Sequence, residues 1–433
     1  MPSAIDILVG AEVFWDVLGS SNINLGKNKP RLQSSKLGWL ISGCVSQSRL
    51  RSQPAVCHYL SQEESDQLTR FWELDSVPST TDFSAEEQAC EKLFKETTRR
   101  DTHGQFVVTI PLKDSPECLG DSYGMAKRRF LSLERRFERD STFKNKYLKF
   151  MQEYIDLHHM TEHSKPNNSD HNYFLPHHGV VRESSSTTKL RVVYDASASS
   201  TSGKSFNDIQ MVGPTVQEDL LSILLRFRQH KFVVTGDIEK MYRAILVEPY
   251  QRHLQQIVFR FSSSDPLKTY SLNTVTYGTA SAPYLATKCL VSLADQCSDP
   301  KVSQSIRRDF FVDDYLGGDE SIESVIDLCQ GVYNTLKSAK FHLRKWQSNS
   351  PTILESIANF NIENQDKKLN LNDSPSKTLG LYWDCKSDRL FFKIDLKLIS
   401  KITKRNILSL VSQVFDPIGL VGPCIVQAKL MLQ

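Results

Sequence analysis

Two aspartates stand side by side between apolar flanks in Phe310-Phe311-Val312-Asp313-Asp314-Tyr315-Leu316-Gly317-Gly318. In a straight strand, neighbouring side chains point to opposite faces, so both carboxylates serve one site only where the backbone turns sharply. The stretch therefore predicts an acidic tip joining two strands. Crowded carboxylates repel and raise each other's pKa unless a cation neutralises them. The plainer alternative is an ordinary turn in which Asp bonds its own backbone. A third acid shifts the balance: Lys231-Phe232-Val233-Val234-Thr235-Gly236-Asp237 is a β-branched and aromatic run that ends on a carboxylate. It reads as a buried strand delivering Asp237 at its C-terminal end, where it meets Asp313 across a sheet.

Hard cations such as Mg²⁺ take oxygen ligands, commonly one or two carboxylates plus substrate phosphates. Two such ions, roughly 3.5–4 Å apart, activate an attacking 3′-hydroxyl and stabilise a leaving pyrophosphate. Asp237, Asp313 and Asp314 are the expected ligands of two Mg²⁺ ions, with Mn²⁺ as a substitute, and nucleotidyl transfer is the expected chemistry.

The blocks around these acids fall in a telling order. Asp237 is followed five residues on by Tyr242, then come Tyr277-Gly278-Thr279-Ala280-Ser281-Ala282-Pro283, the Asp313-Asp314 segment, and Thr378-Leu379-Gly380-Leu381. This order resembles the palm of a reverse transcriptase. The wording of Leu175-Pro176-His177-His178-Gly179-Val180-Val181-Arg182 and Phe415-Asp416-Pro417-Ile418-Gly419-Leu420 is most similar to polyproteins of BEL/Pao-type LTR retrotransposons. The resemblance covers nearly the whole chain.

It implies an α/β (α+β) right-hand polymerase with fingers, an antiparallel-sheet palm and the start of a thumb. It also implies RNA-directed DNA synthesis on an RNA or DNA template with primer, using deoxynucleoside triphosphates. Leu379 and Gly380 would form the primer grip. Arg191, in Leu190-Arg191-Val192-Val193-Tyr194, would hold the triphosphate, with Arg182 as a second basic group. A planar guanidinium suits phosphate, although a solvated surface arginine is the alternative. Tyr242 would exclude a 2′-hydroxyl, or else be a core tyrosine. Tyr277 stands where many retroviral enzymes carry glutamine, so stacking or packing replaces a hydrogen bond to the sugar. Gly278 allows close backbone approach to a ligand, and Pro283 suits the first turn of a helix. Lys345, in Ser338-Ala339-Lys340-Phe341-His342-Leu343-Arg344-Lys345-Trp346, is the candidate general acid, a plain helix-to-strand connection being equally open.

Charge is uneven although the net value is only +3. Between Gln62 and Glu96 there are ten acidic and three basic residues, whereas Lys127 to Lys149 holds nine basic and three acidic. The basic segment has helical character and is either a phosphate-tracking surface or a solvated face. Arg389 to Arg405 is a second basic stretch, expected to contact primer–template. Nine cysteines without a Cys-x-x-Cys pair suggest reduced thiols in a cytoplasmic setting, within virus-like particles if the element is active. No apolar run is long enough to span a bilayer, so no membrane partner is expected. A histidine-rich stretch, His158 to His178, reads as a linker into the fingers rather than a zinc site.

The expected organisation is a retropepsin-like aspartic-protease remnant over 1–47, an acidic connector over 48–105 with a helix near Glu86 to Lys95, fingers and palm over 106–386, and a truncated thumb over 387–433. No Asp-Thr-Gly or Asp-Ser-Gly occurs, so peptide cleavage is not expected. The full element would add protease, RNase H and integrase segments. The competing reading is a degenerate or domesticated retroelement fragment that binds nucleic acid without catalysis.

Overall fold

The computed structural model describes residues 11–26, 29–42, 83–163, 172–181, 189–360, 376–378, 381–391, 402–414, 416 and 419–432. The chain divides into two compact units, 1–81 and 82–433.

In the first unit a short helix, Ala11–Val17, leads into an antiparallel meander of Leu18–Asn24, Arg31–Ser35 and Gly38–Ser42. Gly38, at φ +117°, supplies the left-handed conformation at the second turn. Three short strands bury little, and Trp39 and Ile41 stay exposed.

The second unit is mixed helix and sheet. It opens on the helix Ala85–Thr97, whose capping box pairs the Ser84 side chain with the Glu87 N–H and the Glu87 side chain with the Ser84 N–H. This helix, expected inside the connector, belongs to the second body: Glu91 accepts from Tyr284 Oη at 3.0 Å and pairs with Lys288, and Phe94 meets the Tyr284 ring edge-on.

Next come two amphipathic helices, Tyr123–Arg139 and Ser141–Asp156, the second capped by Asp140, which accepts from the Phe143 N–H. Their apolar faces, including Phe130, Phe137, Phe143 and Tyr147, pack under a two-stranded ribbon of His177–Val181 and Leu190–Tyr194. They also lie beside a sheet formed by Met160–His163, Lys268–Leu272 and Gln256–Phe259.

At the centre is a four-stranded antiparallel sheet ordered Phe310–Phe311, Asp314–Asp319, Phe232–Ile238, Leu343–Ser348. Alternation along the strands gives its two faces different covers. Val234, Ile238 and Tyr315 join the main core with residues of the helices Ala282–Gln296, Pro300–Arg308 and Ile322–Lys337. Val233 and Leu316 point the other way and pack with Ile223, Leu224 and Phe227 of the helix Leu220–Phe227. Trp383, fully buried on the strand Leu381–Asp384, completes that second cluster and meets Phe227 edge-on. Asp237 and Asp314 share this second face, being respectively four residues beyond Val233 and two before Leu316.

Toward the C-terminus, Leu381–Asp384 pairs with Ser376–Thr378 and Arg389–Phe391. Two further helices, Lys404–Val411 and Gly422–Leu430, contact each other while Leu420, Val426 and Leu430 remain exposed.

Candidate active site

The acidic segment forms a hairpin with a two-residue turn. Phe311 pairs with Asp314, leaving Val312 and Asp313 at the tip. Val312 has φ +55° while Asp313 is not left-handed, the pattern of a turn that ordinarily takes glycine at its first central position. A β-branched residue there is strained. Gln217 Oε1 accepts from the Val312 N–H at 2.8 Å, and the valine side chain packs against the main core.

Register decides which acids meet. The expectation set Asp313 across from Asp237, but the residue directly opposite Asp237 is Asp314. The tight turn uses Asp313 as a corner, where its carbonyl accepts from the Ile238 N–H at 2.8 Å. That bond puts Asp237 and Asp314 at a non-hydrogen-bonded pair, the position where side chains approach most closely. Like charges directly opposite are destabilising unless neutralised.

Two cations supply part of that neutralisation, both from the strand Leu343–Ser348. Arg344 is the cross-strand partner of Asp237 on its other side, and the register shifts between Arg344 and Gln347. Lys345 sits in this irregularity at φ +54°. A bulge of this kind re-aims a side chain, and here two consecutive residues reach one carboxylate. Arg344 Nε donates to Asp237 Oδ1 at 3.2 Å and Lys345 Nζ to Asp237 Oδ2 at 2.9 Å. Arg344 Nη1 also donates to Glu239 Oε1 at 2.7 Å. Arg344 escaped sequence reasoning because a regular strand would turn it away from Lys345's face; only adjacency to Lys345 hinted at it.

The remaining charge stays on the hairpin. Burial raises the Asp314 carboxyl to about 7, with Asp313 and Asp237 adding to the rise and Lys345 opposing it. Burial also raises Asp313 above the ordinary carboxylate value; Asp237 contributes, while the charges of Arg191 and Lys345 pull it down. Tyr242, on the 3₁₀ turn Met241–Ala244, is raised by burial and then by the charge of Asp313. Arg191 is exposed on the strand Leu190–Tyr194. Asp237, Asp314, Lys345, Tyr242 and Arg191 are thus each coupled by charge to Asp313.

Tyr277 and Gly278 serve the scaffold. The Tyr277 hydroxyl donates to the Val192 carbonyl, and its ring lies 5.7 Å from that of Tyr194. Gly278 has φ +101°, and a Cβ there would lie 2.5 Å from the Tyr194 carbonyl oxygen. What approaches this glycine so closely is therefore the protein's own backbone. The two residues tie the segment before the helix Ala282–Gln296 to the strand that carries Arg191. Pro283 occupies the first turn of that helix. Arg182, Leu379 and Gly380 lie outside the described residues.

Among the described residues no group of three or more His, Cys, Asp or Glu side chains is gathered so as to hold a metal. The histidines are engaged elsewhere: His159 Nδ1 accepts from Arg243 Nε, and buried His177 donates from Nε2 to the Val258 carbonyl and accepts at Nδ1 from Tyr147. For the aspartates, the donor set is all hard oxygen, with repulsion only partly offset, and Mg²⁺ commonly takes just one or two protein carboxylates. The donor chemistry therefore fits such an ion, with both oxygens of Asp237 now turned to cations.

Fold and site together define a mixed helix-and-sheet protein with an acidic hairpin set against a third aspartate. Residues 403–433 match the family model described as Pao retrotransposon-like RNaseH-like domain, which supports a Pao/BEL retrotransposon origin. These are residues read in the sequence as the start of a thumb. No curated protein matches the chain. No helix among the described residues is long and apolar enough to cross a membrane.

Proposed function

We propose that the second unit is an RNA-directed DNA polymerase that extends a primer 3′-hydroxyl with deoxynucleoside triphosphates on an RNA or DNA template. The observation that carries this reading is the in-register Asp237–Asp314 pair with Asp313 on the adjoining turn, three acids on one edge of a sheet otherwise built as core. Asp237 and Asp313 would hold Mg²⁺, or Mn²⁺ in its place, with Asp314 as the supporting acid; bound there, the ions would supply Lewis-acid activation of the hydroxyl and charge stabilisation on the phosphates.

The chain's own groups do the rest. Arg191 meets the triphosphate, and Tyr242 sits beside Asp313 where it limits what the sugar can carry. As the primer 3′-oxygen, its proton released to solvent, bonds to the α-phosphorus and the bond from that phosphorus to the β-phosphate's bridging oxygen breaks, Lys345 leaves Asp237 and gives its proton to the departing pyrophosphate. Residues 1–47 are read as the protease remnant, without peptide cleavage.

Purified protein should extend a DNA primer annealed to RNA, and Asp313→Ala should abolish extension while primer–template binding persists. Failure of the parent to extend, or extension by the variant at the parental rate, would sink the reading. The competing reading, a retroelement product that binds nucleic acid without synthesis, draws on the paired contacts of Arg344 and Lys345 with Asp237, which must open before the acid can serve. Salt-sensitive binding without incorporation is its signature.

A further inference from the structure

The helix Tyr123–Arg139 buries Ala126, Phe130, Leu133 and Phe137, which turns its opposite side outward in a fixed orientation. On that side Arg128, Arg135 and Arg139 are exposed. At about 100° per residue these positions fall within roughly 40° of one line, and at 1.5 Å per residue they span about 16 Å. Lys127 flanks the line and is exposed as well.

Three other charges of this helix are engaged within the protein. Arg129 Nη1 donates to Asp195 Oδ2 at 2.6 Å, the Arg136 guanidinium lies 3.8 Å over the Phe143 ring, and Glu134 is held by Arg260. Among the described residues no ion pair or hydrogen bond engages the side chains of Lys127, Arg128, Arg135 or Arg139, and Glu138 is the one exposed acid on the helix. Arg135 and Arg139 are four residues apart, a spacing at which like charges destabilise a helix. A rigid, self-repelling cationic line is the electrostatic footprint of a polyanion.

Its place in the fold narrows the polyanion. The helix packs on His177–Val181, the strand paired with the one bearing Arg191. The Arg129–Asp195 ion pair ties it to the residue that follows Tyr194.

We propose that the Arg128–Arg135–Arg139 line binds the phosphate backbone of the single-stranded RNA template. The choice of that strand rests on the polymerase reading; the binding itself does not.

The test is a salt titration of binding to a fluorescent uridine-rich oligoribonucleotide. Each phosphate contact on a single strand contributes about 0.7 to the slope of log K against log salt. The triple variant R128Q/R135Q/R139Q should therefore lose about 2 from that slope, and R135Q alone about 0.7. A control that removes three other exposed cations, K95Q/K113Q/K231Q, should keep the parental slope. Thermal midpoints matching the parent establish that each variant folds.

An unchanged slope in the triple variant, an equal loss in the control, or preference of the line for anionic lipid vesicles over RNA would overturn the proposal. Loss of slope in the triple variant alongside a parent that extends no primer would leave this surface standing and remove the polymerase reading instead.

Discussion

Gly278→Ala isolates one structural cause from another. At φ +101° any side chain is strained, at a cost of roughly 1–2 kcal/mol. The new Cβ would also meet the Tyr194 carbonyl oxygen at 2.5 Å, a backbone atom that cannot swing aside. Opening that contact means shifting a buried strand, an overpacking cost of about 1–3 kcal/mol. Less the gain of about 0.4–1 kcal/mol from a stiffer unfolded chain, the expected destabilisation is about 1–4.6 kcal/mol. Gly203→Ala is the matched control: φ is +83° but nothing lies within 4 Å of the added Cβ. Its strain, less the same gain, leaves about 0–1.6 kcal/mol. Chemical denaturation of the two variants, followed by far-UV circular dichroism, reads the difference. Because Tyr194 ends the strand that carries Arg191, Gly278→Ala should also weaken nucleotide binding. Equal losses in the two variants would refute the claim that backbone approach, rather than dihedral alone, demands glycine at position 278.

Three further outcomes follow from the geometry. Asp314→Asn removes a buried charge directly opposite Asp237, so it should raise metal-free stability by on the order of 1–3 kcal/mol while abolishing primer extension; a loss of stability in denaturant would contradict this. Burial holds the His177 imidazole down at about 4, against an unfolded value near 6.5. Above pH 6.5 both states are neutral, whereas between about 6.5 and 4 only the unfolded chain takes up the proton. His177 should therefore withdraw roughly 3 kcal/mol of stability across that window, and denaturation midpoints of His177→Gln should be flatter over the same pH range. Lys345→Ala should slow incorporation at least tenfold while leaving primer–template affinity within about twofold, as expected of a general acid; incorporation at the parental rate would remove that role.

What the sequence disclosed, and what it hid, divides along physical lines. Local chemistry was legible: adjacent acids between apolar runs required a turn, and a β-branched run ending on Asp237 formed a central strand. The stretch from Glu86 to Lys95 read as a helix, and Pro283 marked the start of another. Register was not legible, because whether Asp313 or Asp314 opposes Asp237 depends on a turn of two residues rather than three or four. The Lys345 irregularity was hidden for a related reason: period-2 alternation separates Arg344 from Lys345, and only a left-handed residue in the strand brings both to one carboxylate. Tyr277 and Gly278 were read as facing a nucleotide, yet the Tyr277 hydroxyl and the Gly278 backbone meet Val192 and Tyr194. Residue type alone does not distinguish a ligand's approach from that of a neighbouring strand.

Single-nucleotide incorporation measures the central claim most directly. A labelled DNA primer annealed to an RNA template is mixed with the parent protein, Mg²⁺ and the one complementary deoxynucleoside triphosphate, alongside Asp237→Asn and Asp313→Ala. The account predicts a primer longer by one residue with the parent and none with either variant, all three binding the duplex. An unextended primer with the parent, or equal extension by the parent and either variant, would contradict it.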